Sequence, residues 1–391
     1  KSIFWFEEPS YRTEFSINDP GSATSYDVRE EKPPEKDVYV TDSIDESLSY
    51  IKQRFSYPLN NDVVIRELRL KKGRRAFVIF IDGMVNTDHV DEAVIKPLLM
   101  LPYFSDEEIY KYDDEISEKF AAHSQAMTTQ SMDSIAEEIN FGSCAVFVDK
   151  IPKGFVFDVR EWGHRSIDKP ENEQSIYGPQ EAFAEMLRNN TALVRKIIKS
   201  EKLIAEGVKI GTVSQTRGVL LYINDIANQN LVNEIRRRIN GITMDYVISI
   251  EEVEMMLEEN TFMATTQMIG TERPDRVARA LTEGRAALIL NGSPRVLIMP
   301  STIFEMTHAV SDDYLRVPYA NMSRILRLMG MFIALLFPAL YLAVTLYHYE
   351  IIPTYLLYSI SAARENVPFP SLLELLLMDF AFEMIREAGL R

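Results

Sequence analysis

Short apolar runs, separated by charged and turn residues, recur through the first 300 positions of the chain, and several of them occur twice. Residues 77–81 (FVIFI) are matched 142 positions later by residues 219–223 (VLLYI). Residues 142–148 are matched at the same offset by residues 284–290, and the amphipathic segments just before that second pair keep the same spacing. Three segments in one register indicate an internal duplication.

These patterns predict an α/β fold that is built twice. Apolar runs of about five residues are typical of buried strands, and the segments between them have helical periodicity. Each copy is therefore expected to form one sheet with helices packed against it. The copies are assigned to residues 41–170 and residues 171–315. The first helix and first strand of each copy are predicted at residues 44–55 and 63–70, and at residues 186–197 and 209–214.

The longest apolar stretch lies near the C-terminal end of the chain. Nineteen residues, 328–346, contain no charged side chain. As a helix they would cover about 28 Å, close to the thickness of a bilayer core. A buried core helix is the alternative, but such a helix is rarely apolar on every side for five turns. We predict a transmembrane helix over residues 325–349.

The residues on either side of this stretch predict its orientation. Arg316, Arg324 and Arg327 precede it, whereas several tyrosines and a histidine follow it before the next basic residue, Arg364. Lys and Arg are enriched on the cytoplasmic side of membrane helices, and aromatic residues at the interfaces. The first 320 residues are therefore predicted to be cytoplasmic.

The segment after the span is predicted to associate with the membrane less regularly. Residues 350–391 are apolar but are interrupted by acids and prolines, and Pro368 and Pro370 favour extended backbone. A helix is predicted over residues 371–388, with Asp379 among the charged residues of one face. At membrane depth, such a segment must face protein or water. It is interpreted as either pore-forming or interfacial, and the chain is expected to continue beyond it.

Composition narrows the range of possible functions. The chain has 58 acidic and 42 basic residues and a net charge of −16, so nucleic acid is not expected as a partner. The single cysteine, Cys144, excludes an intrachain disulfide framework and a thiolate zinc cluster. Residues 1–40 are acidic and contain several Pro and Ser residues, and they are predicted to form a flexible arm.

Motifs for catalysis are missing from the sequence. It contains no Gly-rich phosphate loop, no nucleophile elbow and no zinc-protease helix, and its five histidines lack ligand spacing. Asp82 and Gly83 follow an apolar strand, where they would suit a metal or a ribose, but a strand-end turn is the preferred interpretation. Neither a cofactor nor a metal is expected, and the chain is predicted not to be an enzyme.

Arg273 departs from the local rules of helix formation. It precedes Pro274, the expected first residue of a helix, and so occupies the N-cap position that Ser131 holds in the first copy. Arg is a poor N-cap and Ser is a good one. The guanidinium is expected either to pair with a nearby carboxylate, such as Glu272 or Asp275, or to reach another domain or subunit.

Several ordered motifs resemble those of the A subunits of GerA-type spore germinant receptors. The resemblance covers roughly residues 44–391. Its motifs are YGPQEAF at 177–183, NNTAL at 189–193, GTERPD at 270–275, EGR at 283–285, ENVPFP at 365–370 and REAGLR at 386–391. It implies an integral, multi-pass protein of the spore inner membrane with a two-part cytoplasmic domain on the spore-core side.

The same resemblance implies partners and a role. The chain would form a homo-oligomer, a pentameric ring around a nutrient-gated pathway for monovalent cations, in contact with membrane lipid. It would act with a transporter-like B subunit and a lipoprotein C subunit. In a ring, acidic side chains favour cations and a small apolar residue can form a constriction. The candidate pathway residues are Glu365, Val367, Pro368, Pro370, Glu374 and Asp379, and the candidate interface residues are Glu272 and Arg273.

Three other interpretations remain open at this point. The first is a membrane-anchored α/β enzyme or nucleotide-binding regulator that uses the cleft between the two copies. The second is a scaffold that gathers receptor components without conducting ions. The third is a spore-specific paralogue of the A subunit, which would share the same motifs.

Overall fold

The computed structural model describes residues 38–100, 126–160, 177–259, 266–365 and 368–389, together with residues 170, 172, 173 and 175. Within this part of the chain, the residues up to Met306 form one compact unit, and the residues from Thr307 onward form a second. The first unit contains both α/β copies. The second contains the apolar helix and the segment that follows it.

The first α/β copy is an antiparallel sheet of five strands with helices on both faces. The sheet has the order β1-β2-β4-β5-β3. Its elements are α1 (Ile44–Arg54), β1 (Val63–Arg69), β2 (Arg75–Ile81), α2 (Thr87–His89), a π-helical segment (Val90–Ile95), α3 (Lys96–Met100), β3 (Ala126–Thr129), α4 (Met132–Asn140), β4 (Cys144–Val148) and β5 (Gly154–Phe157).

The second copy repeats this arrangement strand for strand. Its sheet has the order β6-β7-β9-β10-β8, so each strand occupies the place of its counterpart five numbers earlier. The predicted duplication of the fold is confirmed. The elements are α5 (Leu187–Ile197), β6 (Leu203–Ile210), β7 (Thr216–Ile223), α6 (Gln229–Asn240), α7 (Ile250–Leu257), β8 (Ile269–Thr271), α8 (Pro274–Thr282), β9 (Ala286–Leu290), β10 (Val296–Met299) and α9 (Ile303–Met306).

One predicted strand boundary is wrong. The first strand of the second copy is β6, which ends at Ile210, whereas the sequence pattern predicts a strand over residues 209–214. Gly211, at φ +90°, turns the chain into the hairpin that leads to β7, so the strand cannot continue. Residues 1–37 of the predicted arm lie outside the described residues. Val40, however, is buried and its N–H donates to the Gln130 carbonyl (2.8 Å), so it belongs to the first copy.

Alternation along the central strands builds two cores in each copy. In β2, Val78 and Phe80 face one core, whereas Phe77 and Ile79 face the other. Successive side chains of a strand point to opposite faces, and both faces of this sheet are covered by helices. Strands buried on both sides read as continuous apolar runs, which is the pattern in the sequence.

A buried polar joint connects the two copies. The Asn61 N–H donates to the Ala205 carbonyl (2.9 Å), and the Ala205 N–H donates to Asn60 Oδ1 (2.9 Å). Arg195 of α5, whose side chain is 3% exposed, forms an ion pair with Asp62 and donates to Asn60 Oδ1 (3.0 Å). These contacts connect backbone and side chains from both copies, so the α/β copies form one compact unit.

The second unit is a series of helices. A 3₁₀ turn (Val310–Tyr314) leads into α10 (Val317–Tyr347), and a second 3₁₀ turn (Tyr349–Ile351) precedes α11 (Thr354–Arg364) and α12 (Ser371–Gly389). Among the described residues, α10 is the one helix that is long and apolar enough to cross a membrane. The helices predicted over the apolar stretch and over residues 371–388 are present, although α10 begins earlier than the predicted span.

Candidate functional site

The helices of the second unit expose large apolar side chains in an unusual concentration. At 1.5 Å per residue, the 31 residues of α10 extend about 46 Å, longer than a hydrocarbon core of about 30 Å. The uncharged stretch 328–346 lies at its C-terminal end, so the excess length is on the N-terminal side. Exposed apolar surface of this extent marks a membrane or protein contact. Residues more than half exposed include Met329, Phe332, Leu335, Leu336, Phe337, Leu372, Leu376, Phe380, Phe382 and Ile385.

An ion-pair cluster stands at the start of α10. The Asp312 side chain, 1% exposed, lies 2.9 Å from Arg327 Nη1 and 3.6 Å from Arg324 Nε, while Arg324 Nη2 lies 3.3 Å from Asp313. Burial raises the pKa of Asp312, but hydrogen bonding and charge from Arg327 outweigh it and hold the pKa below its ordinary value. Two of the three arginines that predict the orientation of the membrane helix, Arg324 and Arg327, are therefore paired with acids. The sequence alone did not indicate this pairing.

The third of these arginines has a different position. Arg316 is exposed and occupies the N-cap position of α10. Asp312 and Asp313, two neighbouring acids that precede the three arginines in the sequence, were the signal that could have predicted the ion-pair cluster. Because acids contribute little to the positive-inside rule, the paired arginines still count toward orientation. The predicted orientation remains a prediction.

The candidate pathway residues lie around the break between α11 and α12. Glu365 is exposed directly after α11, and Pro368 and Pro370 are exposed just before α12. Glu374 lies in the first turn of α12, and Asp379 is exposed farther along the same helix. Val367, the candidate constriction, lies outside the described residues. The structure thus brings Glu374 near the break, while the role of these residues in conduction stays a prediction.

Sequence reasoning missed the residue that contacts Glu374. Arg364, the last residue of α11, donates from Nη1 to Ser371 Oγ (2.6 Å) and from Nη2 to the Tyr341 hydroxyl (3.1 Å). Its Nε lies 3.9 Å from Glu374 Oε2, an ion-pair contact rather than a hydrogen bond. We call Tyr341, Arg364, Ser371 and Glu374 the Arg364 cluster. It joins α10, α11 and α12.

Arg273 is fully buried at the start of α8, which explains its unusual position. Its Nε and Nη2 donate to the two carboxylate oxygens of Asp275 (3.0 and 2.8 Å), and Nη2 also donates to the Pro179 carbonyl (2.7 Å). Of the two alternatives, pairing with a nearby carboxylate is therefore present. Glu272 accepts a hydrogen bond from the Asn172 N–H (3.2 Å). A contact of Glu272 or Arg273 with another subunit stays a prediction.

The possible chemical site after β2 is a structural turn. Gly83 has φ +87°, and Asp82 lies 2.7 Å from Arg188 of the second copy. Burial raises the pKa of Asp82, and the charge of Arg188 only partly offsets it.

Within the described residues no group of three or more His, Cys, Asp or Glu side chains is placed to bind a metal ion. Cys144 is buried, and burial raises the pKa of its thiol.

Together, the duplicated α/β unit and the apolar helix that follows it define an α/β protein with one candidate transmembrane helix among its described residues. The family described as Bacillus/Clostridium GerA spore germination protein matches residues 49–391, and the chain belongs to this family. The resemblance inferred from the motifs is therefore confirmed.

Individual relatives support the same assignment. The chain is 37% identical to the uncharacterized membrane protein YfkQ of Bacillus subtilis over 85% of its length, and 35% identical to spore germination protein KA of B. subtilis over 91%. It spans 64% and 65% of these two relatives, about two thirds of their length.

A solved structure shares the fold. It is the N-terminal domain of the A subunit of the Bacillus megaterium spore germinant receptor GerK3, which is 26% identical with a TM-score of 0.53. The likeness covers 68% of this chain and 98% of that domain. The family is one of germination proteins rather than a known enzyme family.

Proposed function

We propose that this chain is the A subunit of a nutrient germinant receptor in the inner membrane of a bacterial spore. The family match over residues 49–391 carries this proposal, and the likeness to the N-terminal domain of a receptor A subunit supports it. In this proposal, the α/β unit lies on the cytoplasmic side and α10 crosses the membrane. Further membrane helices follow in the complete protein.

The proposed role in the receptor is to form a cation pathway. The helix α12 combines exposed apolar side chains with Glu374 and Asp379, and acids at membrane depth are stable only beside water or a partner. A ring of five subunits would place these acids in concentric rings that favour monovalent cations. Val367 would form a hydrophobic constriction beside them. The B subunit and the lipoprotein C subunit are the proposed partners.

Cation efflux from proteoliposomes that contain the complete A, B and C subunits would test this proposal. Addition of the nutrient should release monovalent cations. Val367→Ala should cause efflux without nutrient, because a smaller side chain widens the constriction, and Glu374→Gln should lower the preference for cations over anions. Variants that match the wild type at equal abundance would contradict the conducting role.

The competing arrangement places α12 flat at the membrane interface. Arg386 and Glu383 form an exposed pair on this helix, with side chains 70% and 61% exposed, which suits a position among lipid headgroups. In that arrangement the chain would be a scaffold without a conducting role. Nutrient-dependent germination without any effect of Val367→Ala and Glu374→Gln on efflux would favour it.

A further inference from the structure

Arg364 is placed to control the position of three helices at once. Its guanidinium donates to Tyr341 on α10 and to Ser371 at the start of α12, and it lies over the Tyr341 ring, 5.8 Å from the ring centroid. A planar guanidinium directs several donors at fixed angles, so each contact constrains the others. Loss of this one side chain would release contacts to both neighbouring helices.

Arg364 also neutralises an acid of the proposed pathway. The side chains of Arg364 and Glu374 are 26% and 35% exposed, so both charges are partly withdrawn from water. A carboxylate among apolar surfaces is costly unless a cation or a polar partner faces it. While the pair holds, Glu374 contributes no net negative charge to a pathway. The presence of an acid at position 374 is therefore not sufficient to attract cations.

We infer that Arg364 is a positioning residue that determines when Glu374 attracts cations. This inference rests on the proposed function, since it needs a cation pathway beside α12. In the resting arrangement Arg364 holds Glu374 and the three helices together. In the conducting arrangement the pair separates, and the Glu374 carboxylate faces the pathway. A contact made in only one of two arrangements shifts the equilibrium between them by its own free energy.

A second ion pair on α12 supplies a matched control. Arg386 contacts Glu383 three positions away on the same helix, and both side chains are largely exposed. Exposed pairs of this kind contribute little to stability. Arg386→Gln removes the same charge from the same segment, but the contact that it breaks lies within a single helix.

The test measures cation efflux from proteoliposomes with the complete A, B and C subunits, before and after nutrient. Arg364→Gln should raise the efflux without nutrient about tenfold, within the range of common coupling energies. Arg364→Lys keeps a positive charge opposite Glu374 but loses the planar fork of donors, so it should give a smaller rise than Arg364→Gln. Tyr341→Phe keeps the ring and removes the hydroxyl acceptor, so it should give a smaller rise. Arg386→Gln should match the wild type.

The possible outcomes separate the inference from the function on which it rests. A wild type that does not release cations with nutrient contradicts the proposed function, and the inference falls with it. A responsive wild type with Arg364→Gln equal to Arg386→Gln overturns the inference alone. If Arg364→Gln is poorly produced, Tyr341→Phe decides: a resting efflux above that of the wild type supports the inference, and one equal to the wild type overturns it.

Discussion

At the scale of single residues, burial determines what each charge does. Arg273 occupies a helix N-cap position that suits Ser, yet its side chain is fully buried and pairs with Asp275. Ser131, its counterpart in the first copy, accepts the Ser134 N–H as a cap should (3.4 Å). The residue at this position of the repeat thus caps a helix in the first copy and forms a buried ion pair in the second.

Arg273→Ser should therefore destabilise the protein although it restores a good capping residue. Loss of one member of a buried pair costs about 3–5 kcal/mol, whereas a cap contributes about 1 kcal/mol. The net loss in the free energy of unfolding should be about 3 kcal/mol. Urea unfolding of the chain in detergent, followed by circular dichroism, would measure it.

The control for this prediction is Arg237→Ser. Arg237 pairs with Glu234 at a side-chain exposure of 73%, and such exposed pairs contribute little to stability. Equal stability of the two variants would show that the Arg273 pair contributes no more than an exposed one.

Asp312 should make the start of α10 sensitive to acid. Because its pKa in the folded protein is lowered, its stabilising effect is present above the unfolded value of about 3.9 and is lost as the pH falls through the lower folded value. Hydrogen exchange at residues 307–327 should therefore stay slow from neutral pH to about pH 4 and rise below it, after correction for the intrinsic rate. Asp312→Asn should show fast exchange throughout. A step in the variant at the same pH would assign the effect to another group.

At the scale of elements, a close approach between the two copies depends on a glycine. Gly83 has φ +87°, and a Cβ at this position would lie 3.0 Å from the Arg188 side chain and backbone oxygen and 3.4 Å from the Ala192 Cβ. These residues belong to α5 of the second copy. The turn after β2 thus packs directly on that helix, next to the ion pair of Arg195 with Asp62.

Gly83→Ala should destabilise the protein more than Gly73→Ala. Both glycines have φ near +85°, so both variants incur a backbone cost of about 1–2 kcal/mol. A Cβ at Gly73 would have nothing within 4 Å, whereas at Gly83 it would be crowded, which adds about 1–3 kcal/mol. Thermal unfolding of both variants would compare them. Equal melting temperatures would show that α5 moves aside without cost.

At the scale of the whole molecule, the orientation of the membrane helix sets which parts meet each compartment. The arginines before α10 predict a cytoplasmic α/β unit. Cysteine labelling can test this in intact membranes, since the native Cys144 is fully buried and burial raises its thiol pKa, which keeps it unreactive.

Ser311→Cys should be protected from an impermeant thiol reagent added outside intact cells and should react after permeabilisation. Glu350→Cys, on the far side of α10, should react without permeabilisation. The wild-type chain should stay unlabelled in both conditions. The reverse pattern of the two variants would contradict the predicted orientation.

The sequence by itself determined the features that depend on chain-local patterns. The repeat at 142 positions was visible because strands buried on both faces keep apolar residues at each position, in both copies. The apolar stretch from 328 to 346 predicted a helix, since length and the absence of charge are properties of the stretch itself. The end of β6 at Ile210 was not predicted because it depends on the positive φ of Gly211, and the residue type alone does not show which conformation a glycine adopts.

Only the tertiary structure decided which charges meet. Arg195 and Asp62 are 133 positions apart, and their contact needs both sheets to be folded and joined. Arg364 and Glu374 are close along the chain, but the prolines between them leave the direction of α12 open, so helical spacing could not pair them. Charged side chains pair only when they lie close together in space. The sequence predicts such distances within a single helix or strand, where the spacing of residues is regular, but not between elements.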